Sequence, residues 1–126
     1  MKLYKSPCCA NLVEKIVDSG KGLECCGEAM TELSANTTDA AQEKHVPEVT
    51  ADGQKLHVQV GSVEHPMLEA HYIVFIAAEF GDQIVRRNLK PGEKPVADFC
   101  LGDYHGPVTV YEYCNLHGLW KKELTV

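Results

Sequence analysis

The sequence predicts an all-β protein of the sandwich or barrel kind, with a small cysteine-rich piece set apart at its amino end. Three observations carry this. Short runs rich in β-branched and aromatic residues recur from about residue 45 onward, turn chemistry falls between them, and no long stretch has helical periodicity.

Residues 1–36 form the first expected domain. "YKSPCC" at 4–9 and "LECCGE" at 23–28 place Cys8, Cys9, Cys25 and Cys26 there, beside one short apolar stretch, "NLVEKIV". A piece below about 40 residues usually needs a metal, a crosslink or a partner chain to hold a fold. "ELSANTTDAAQEKH" follows as a polar connector into the second expected domain, 37–126.

In that domain "KLHVQV" (55–60) alternates Leu56, Val58 and Val60 with Lys55, His57 and Gln59, the period of a half-buried strand. "HYIVFIAAEF" (71–80), the turn "GDQ" and "IVRRNL" read as a hairpin. "VADFC" (96–100), "VTVYEY" (108–113) and "LWKKELTV" (119–126) complete the set, with turns at "ADGQ", "KPGEKP" and "LGDYHGP". There is no internal repeat and no low-complexity segment.

The net charge of -6 and the scattered Lys and Arg leave no basic patch for nucleic acid. No run approaches the roughly 20 apolar residues that cross a bilayer, and "MKLYKSPCC" has no apolar stretch to serve as a signal peptide. The expected compartment is the cytoplasm, where thiols stay reduced and a cysteine cluster points to metal or redox chemistry before disulfides.

Neighbourhood distinguishes the six histidines more than number does. "EKHVP" holds His45, "EHPMLEAH" holds His65 and His71, and "YCNLHG" pairs Cys114 with His117 at a spacing that lets both side chains reach one ion from a single turn. Singly, each has a plain explanation: a lone His is most often a surface or satisfied core residue, and Cys114 a small buried hydrophobe. Together, four imidazoles and a thiolate are one donor too many for tetrahedral zinc and suit a five-coordinate iron with one position open. His57 and His105 are assigned to solvent, Cys100 to packing as a buried thiol, and Tyr4, Tyr72, Tyr111 and Trp120 to core or dimer contacts.

"EKHVP", "GSVEHPM", "HYI", "LKPGEKP" and "YCNLHG", in this order over about residues 38–120, resemble the superoxide reductase family, which includes desulfoferrodoxin and neelaredoxin. The resemblance implies an immunoglobulin-like β-sandwich with one non-haem iron per chain. His45, His65, His71 and His117 would be equatorial ligands and Cys114 the axial one. It implies that Glu43 occupies the sixth position in the ferric resting state and that Lys44 stands beside the open ferrous site. The implied reaction is one-electron reduction of superoxide to hydrogen peroxide, with an electron donor such as rubredoxin and a homodimeric assembly. The competing readings are a non-catalytic electron-transfer or iron-binding protein with a closed six-coordinate site, and a zinc-binding interaction module.

The amino-terminal piece resembles the desulforedoxin-like domain of the two-iron members, with a departure. Aligned on the family's Tyr-Lys-Cys-x-x-Cys pattern, "YKSPCC" puts Ser6 at the first ligand position and Cys9 at the second, while Cys8 falls on a position that is normally not a ligand. Three outcomes follow: an empty site, a site in which Cys8 substitutes, or an altered site completed by the Ser6 oxygen. Serine is a harder and less acidic ligand than cysteine, so a poorly occupied site is expected.

Overall fold

Short antiparallel strands joined by tight turns run along the whole chain, interrupted by one four-residue helix. The computed structural model describes all 126 residues and divides into two units, Met1–Ser34 and Ala35–Val126.

In the first unit β1 (Leu3–Lys5) pairs with β2 (Leu12–Glu14) on one side. The short β3 (Glu24–Cys25) and β4 (Glu28–Ala29) form a separate hairpin, and β5 (Thr31–Glu32) pairs with the other side of β1. Cys26 and Gly27 close the β3–β4 turn with φ of 55° and 77°, the two left-handed positions of the tightest hairpin turn. Leu3, Tyr4 and Ser6 are buried, whereas Ile16 and Val17 lie 89% and 83% exposed. So small an interior cannot offset the conformational entropy of the unit by apolar burial alone.

The second unit carries α1 (Gln42–His45) and two facing sheets. One sheet contains β6 (Pro47–Asp52), β7 (Lys55–Val60) and, after two intervening strands, β10 (Val96–Cys100), in the order β10-β7-β6. The other contains β8 (Ile73–Phe80), β9 (Gln83–Asn88), β11 (Pro107–Cys114) and β12 (Gly118–Thr125), in the order β12-β11-β8-β9. Leu56, Val58 and Val60 of β7 meet Ile76, Ala78, Val108 and Val110 of the second sheet in one apolar core, the interleaving expected of a β-sandwich. The alternation read in "KLHVQV" is the observed burial pattern of β7.

Two details depart from the sequence reading. Cys100 is exposed, not a packed thiol. Period-two geometry turns Ala97 and Phe99 of β10 into the core and Asp98 and Cys100 outward. β6 was hidden in sequence because its pattern lacks clean alternation; it is an edge strand that opens on a proline, where no ladder hydrogen bond is lost. His57 and His105 are exposed as expected, and His57 Nδ1 contacts Asp98 Oδ1 at 2.6 Å.

Candidate metal centre

Three connections at one end of the sandwich bring the donors together. His45 ends α1, His65 and His71 lie in the β7–β8 connection, and Cys114 and His117 flank the β11–β12 turn. Each is held by backbone contacts that follow from local sequence. Gly61 lies against the α1 backbone so closely that a Cβ there would meet the Glu43 carbonyl oxygen at 2.5 Å. Val63 N–H then donates to that same oxygen at 2.9 Å, tying the β7–β8 connection to α1.

"LKPGEKP" braces the same connection: Gly92 N–H donates to Met67 O at 2.8 Å and Val60 N–H to Pro95 O at 2.9 Å. The β8–β11 register shifts between Tyr113 and Cys114, an irregularity of the kind that re-aims a side chain beside a site. Gly118 closes the β11–β12 turn with a left-handed φ of 81°, which a side chain adopts only with strain.

Asn115 joins two of these connections, and single-sequence reading did not single it out. Its Oδ1 accepts from Tyr72 N–H at 2.9 Å, its Nδ2 donates to Ala70 O at 3.0 Å, and its own N–H donates to Tyr72 O at 3.2 Å. The side chain next to Cys114 therefore clamps both residues that flank His71. Trp120, expected only as a core or dimer contact, stacks on His45 with ring centroids 5.0 Å apart, and its Nε1–H donates to His117 O at 3.0 Å.

The four imidazoles close a cycle. His45 meets His65 and His117, and His71 meets the same two, all edge to face with centroids 4.7–5.0 Å apart. Nε2 of His45 lies 3.0 Å from Nδ1 of His117 and 3.2 Å from Nε2 of His65. Two metal–nitrogen bonds of about 2.1 Å put their nitrogens about 3.0 Å apart at a right angle and about 3.4 Å apart at a tetrahedral one. The His45–His117 spacing matches the right-angle value and the His45–His65 spacing falls midway, so both are compatible with nitrogens that share one ion.

Protons cannot account for this cluster. His45 Nδ1 donates to Ala41 O and His65 Nδ1 to Pro66 O, both at 2.7 Å, so in the neutral rings both Nε2 atoms carry lone pairs. Those lone pairs face each other across 3.2 Å with no hydrogen to share, and His71 Nε2 is buried with no hydrogen-bond partner. A cation between them satisfies all of these nitrogens at once. Burial pushes the His65 imidazolium down to about 4 and lowers His45 and His71 as well, which keeps the rings neutral and able to ligate near pH 7.

Cys114 is fully buried, and its Sγ lies 3.9 Å from His117 Nδ1. Burial pushes its thiol up, while hydrogen bonds from the Leu116 and His117 backbone N–H groups pull the other way. Such bonds stabilise the thiolate that a bound metal requires. All five donor atoms lie within 4.8 Å of one another, and the soft-plus-imidazole set fits non-haem iron. Two residues before Cys114, Glu112 is fully buried with neither carboxylate oxygen bonded. Burial raises it well above the usual carboxyl range, and its cross-strand neighbours are Ile76 and Trp120.

Glu43 and Lys44 are exposed beside the buried His45. Their charges reach the rings: Lys44 disfavours protonation of His71, and Glu43 favours protonation of His45. Lys44 also lines a cleft of about 510 Å³ with His65, Glu64, Met67 and Lys94.

In the small unit, the Cys8, Cys9 and Cys25 sulfurs lie within 4.8 Å of one another; Cys26 is outside this triad. Ser6 Oγ accepts from the Cys8 and Cys9 backbone N–H groups, each at 3.3 Å. Hydrogen bonds involving Ser6 and Cys9 pull the Cys25 thiol down, and those involving Cys8 and Cys25 push Cys26 up.

Comparison with known proteins agrees with this geometry. The desulfoferrodoxin family model matches residues 37–123. A desulfoferrodoxin of Syntrophotalea carbinolica is 46% identical over 123 residues, 98% of this chain and 96% of its own. The superoxide reductase of Treponema pallidum superposes with a TM-score of 0.75 at 32% identity, over 95% of this chain and 98% of the other. A one-iron superoxide reductase of Giardia intestinalis gives 0.60 at 33% identity over 67% and 99%. Histidine cycle, buried thiol and sandwich thus meet the sequence match on the same residues, and the chain belongs to the desulfoferrodoxin family.

Proposed function

We propose that this protein is a superoxide reductase, which reduces superoxide by one electron to hydrogen peroxide at non-haem iron held by His45, His65, His71, His117 and Cys114. The observation that carries the reading is the donor count. Four imidazoles in a closed cycle with one thiolate would give a metal five ligands, one fewer than an octahedral ion takes, and so leave room for a small anion. The superoxide reductases among the solved structures support it.

Iron bound there supplies the electron that superoxide takes up. The protein does the rest. Lys44 places an ammonium at the mouth of the site, which attracts the anionic substrate against a net charge of -6 and holds a water close enough to deliver a proton. Glu43, exposed next to His45, is the carboxylate that would close the site when no substrate fills it. The Cys114 thiolate would lend electron density to the bound metal, moderated by the Leu116 and His117 N–H groups. Uptake of one electron and two protons completes hydrogen peroxide.

The electron is replaced by an external one-electron carrier such as rubredoxin. A homodimer fits the reading, since exposed Ile16 and Val17 offer apolar surface for a second copy to cover. Six free cysteines suit the reducing cytoplasm. No helix is long and apolar enough to cross a membrane.

The test is iron quantitation on the purified chain, then rapid mixing of the reduced form with superoxide. One iron in the five-donor site, a thiolate-to-iron visible band and peroxide without dioxygen are expected. Zinc in that site, or a reduced form inert to superoxide, refutes the assignment; inertness with full iron loading selects the closed electron-transfer reading instead.

A further inference from the structure

We propose that Cys9 and Cys25 are a peroxide-reactive dithiol site that closes to a reversible disulfide. The two sulfurs stand 3.6 Å apart, close enough to bond with a small side-chain adjustment, and they belong to different hairpins of the small unit. Only three sulfurs of this unit, those of Cys8, Cys9 and Cys25, lie within 4.8 Å of one another, one short of a four-thiolate metal site. Ser6, 4% exposed, holds the position of the missing thiol, and its Oγ already interacts with the backbone N–H groups of Cys8 and Cys9 and with both their thiols. A serine oxygen engaged in this way is a poor replacement for a soft ligand.

The choice of partner follows from geometry. Cys8 Sγ turns to the backbone oxygen of Cys25 at 3.5 Å, and Cys26 adjoins Cys25 in sequence, where a vicinal bridge is strained. Cys25 Sγ faces Cys9 Sγ and accepts a contact from Asn11 Nδ2 at 3.7 Å. Cys9 is exposed and Cys25 half-exposed, so a small oxidant reaches both.

The chemistry balances with hydrogen peroxide as the oxidant. The Cys25 thiolate attacks one peroxide oxygen, the O–O bond breaks, hydroxide leaves, and a sulfenic acid remains. The Cys9 thiolate then attacks that sulfur, the S–O bond breaks and the S–S bond forms. Together the two steps consume two thiols and one peroxide and yield a disulfide and two waters. The supply of peroxide inside the protein rests on the function proposed above, because the iron centre makes it. The crosslink gives the 34-residue unit the covalent tie that its small interior does not provide.

The experiment uses the full-length chain purified without oxygen, assayed for metal, treated with hydrogen peroxide and then with N-ethylmaleimide. A Cys9–Cys25 linked peptide is expected, with a loss of about 2 Da for two thiol hydrogens, reversal by dithiothreitol, no such link in C9S or C25S, and an unchanged result in C100S. Recovery of Cys9 and Cys25 as alkylated thiols or sulfinic acids, a bond joining other cysteines, or a stoichiometric metal ion that these residues retain through the peroxide treatment overturns the proposal. Added peroxide makes the result independent of superoxide turnover, so a chain that forms the crosslink yet fails to reduce superoxide refutes the function proposal and leaves this one standing.

Discussion

Nε2 of His45 lies 3.0 Å from Nδ1 of His117, although 72 positions separate the two residues. The contact joins the end of α1 to the β11–β12 turn, and it presents the site with one imidazole through Nε2 and another through Nδ1. Which nitrogen each ring offers is set by what its other nitrogen touches: Ala41 O holds Nδ1 of His45, so only Nε2 remains free.

The Asn115 clamp yields the first prediction. Asn115→Ala removes both side-chain bonds to the segment around His71, and iron affinity is expected to fall about tenfold or more. Asn115→Asp keeps the acceptor for Tyr72 N–H and should fall in between. Hydrogen exchange at the Tyr72 amide, read in the metal-free chain, checks the mechanism; unchanged protection in the alanine variant contradicts it.

Gly61 is the tightest point of the scaffold. Gly61→Ala drives a methyl into the Glu43 carbonyl at 2.5 Å and should cost about 1–3 kcal/mol, the usual range for overpacking. The strain falls on the backbone that carries His45, so iron content should drop along with the melting temperature. A variant that melts with the wild type shows that the connection gives way freely.

The pH dependence of the metal-free chain has a definite sign. His65 is depressed to about 4 from 6.5, so between those values the unfolded chain binds more protons than the folded one. Stability is complete above about 6.5 and declines as pH falls toward 4, by roughly 3 kcal/mol from this residue. Urea titrations across that window measure it, and His65→Gln should flatten the curve.

Glu112 works in the opposite direction. Its folded value is raised above 4.5, so the stability associated with its neutral form is present below that value and is lost as pH rises through the folded one. Glu112→Gln keeps the shape without the charge. Its melting temperature should gain on the wild type as pH goes from 5 to 8, and a constant difference would show that the buried carboxyl does not titrate in this way.

On the function proposed above, Lys44→Ala should slow the reaction with superoxide and weaken its salt dependence while iron loading stays complete, because the role proposed for Lys44 is to supply field and not coordination. An unchanged rate would remove the role assigned to it.

Much of this protein was legible in its residues. The alternation in "KLHVQV" dictates which side of β7 is buried, because side-chain direction in a strand depends only on neighbours two positions away. The same local rule, applied to "VADFC", would have turned Cys100 outward; the apolar look of the stretch misled where period two did not. The five candidate donors were legible as residue types in three short motifs, and Ser6 as a break in the cysteine pattern that the resemblance implies.

What the residues alone determined is therefore the local part: the strands, the turn positions and the identity of the candidate donors. Tertiary structure decided the closed cycle of rings, the nitrogen that His45 presents, the Asn115 clamp on the His71 segment and the 3.6 Å approach of the Cys9 and Cys25 sulfurs. Those relations join residues far apart along the chain, and only the packing of one sheet on the other, with its connections gathered at one end, brings them within bonding distance.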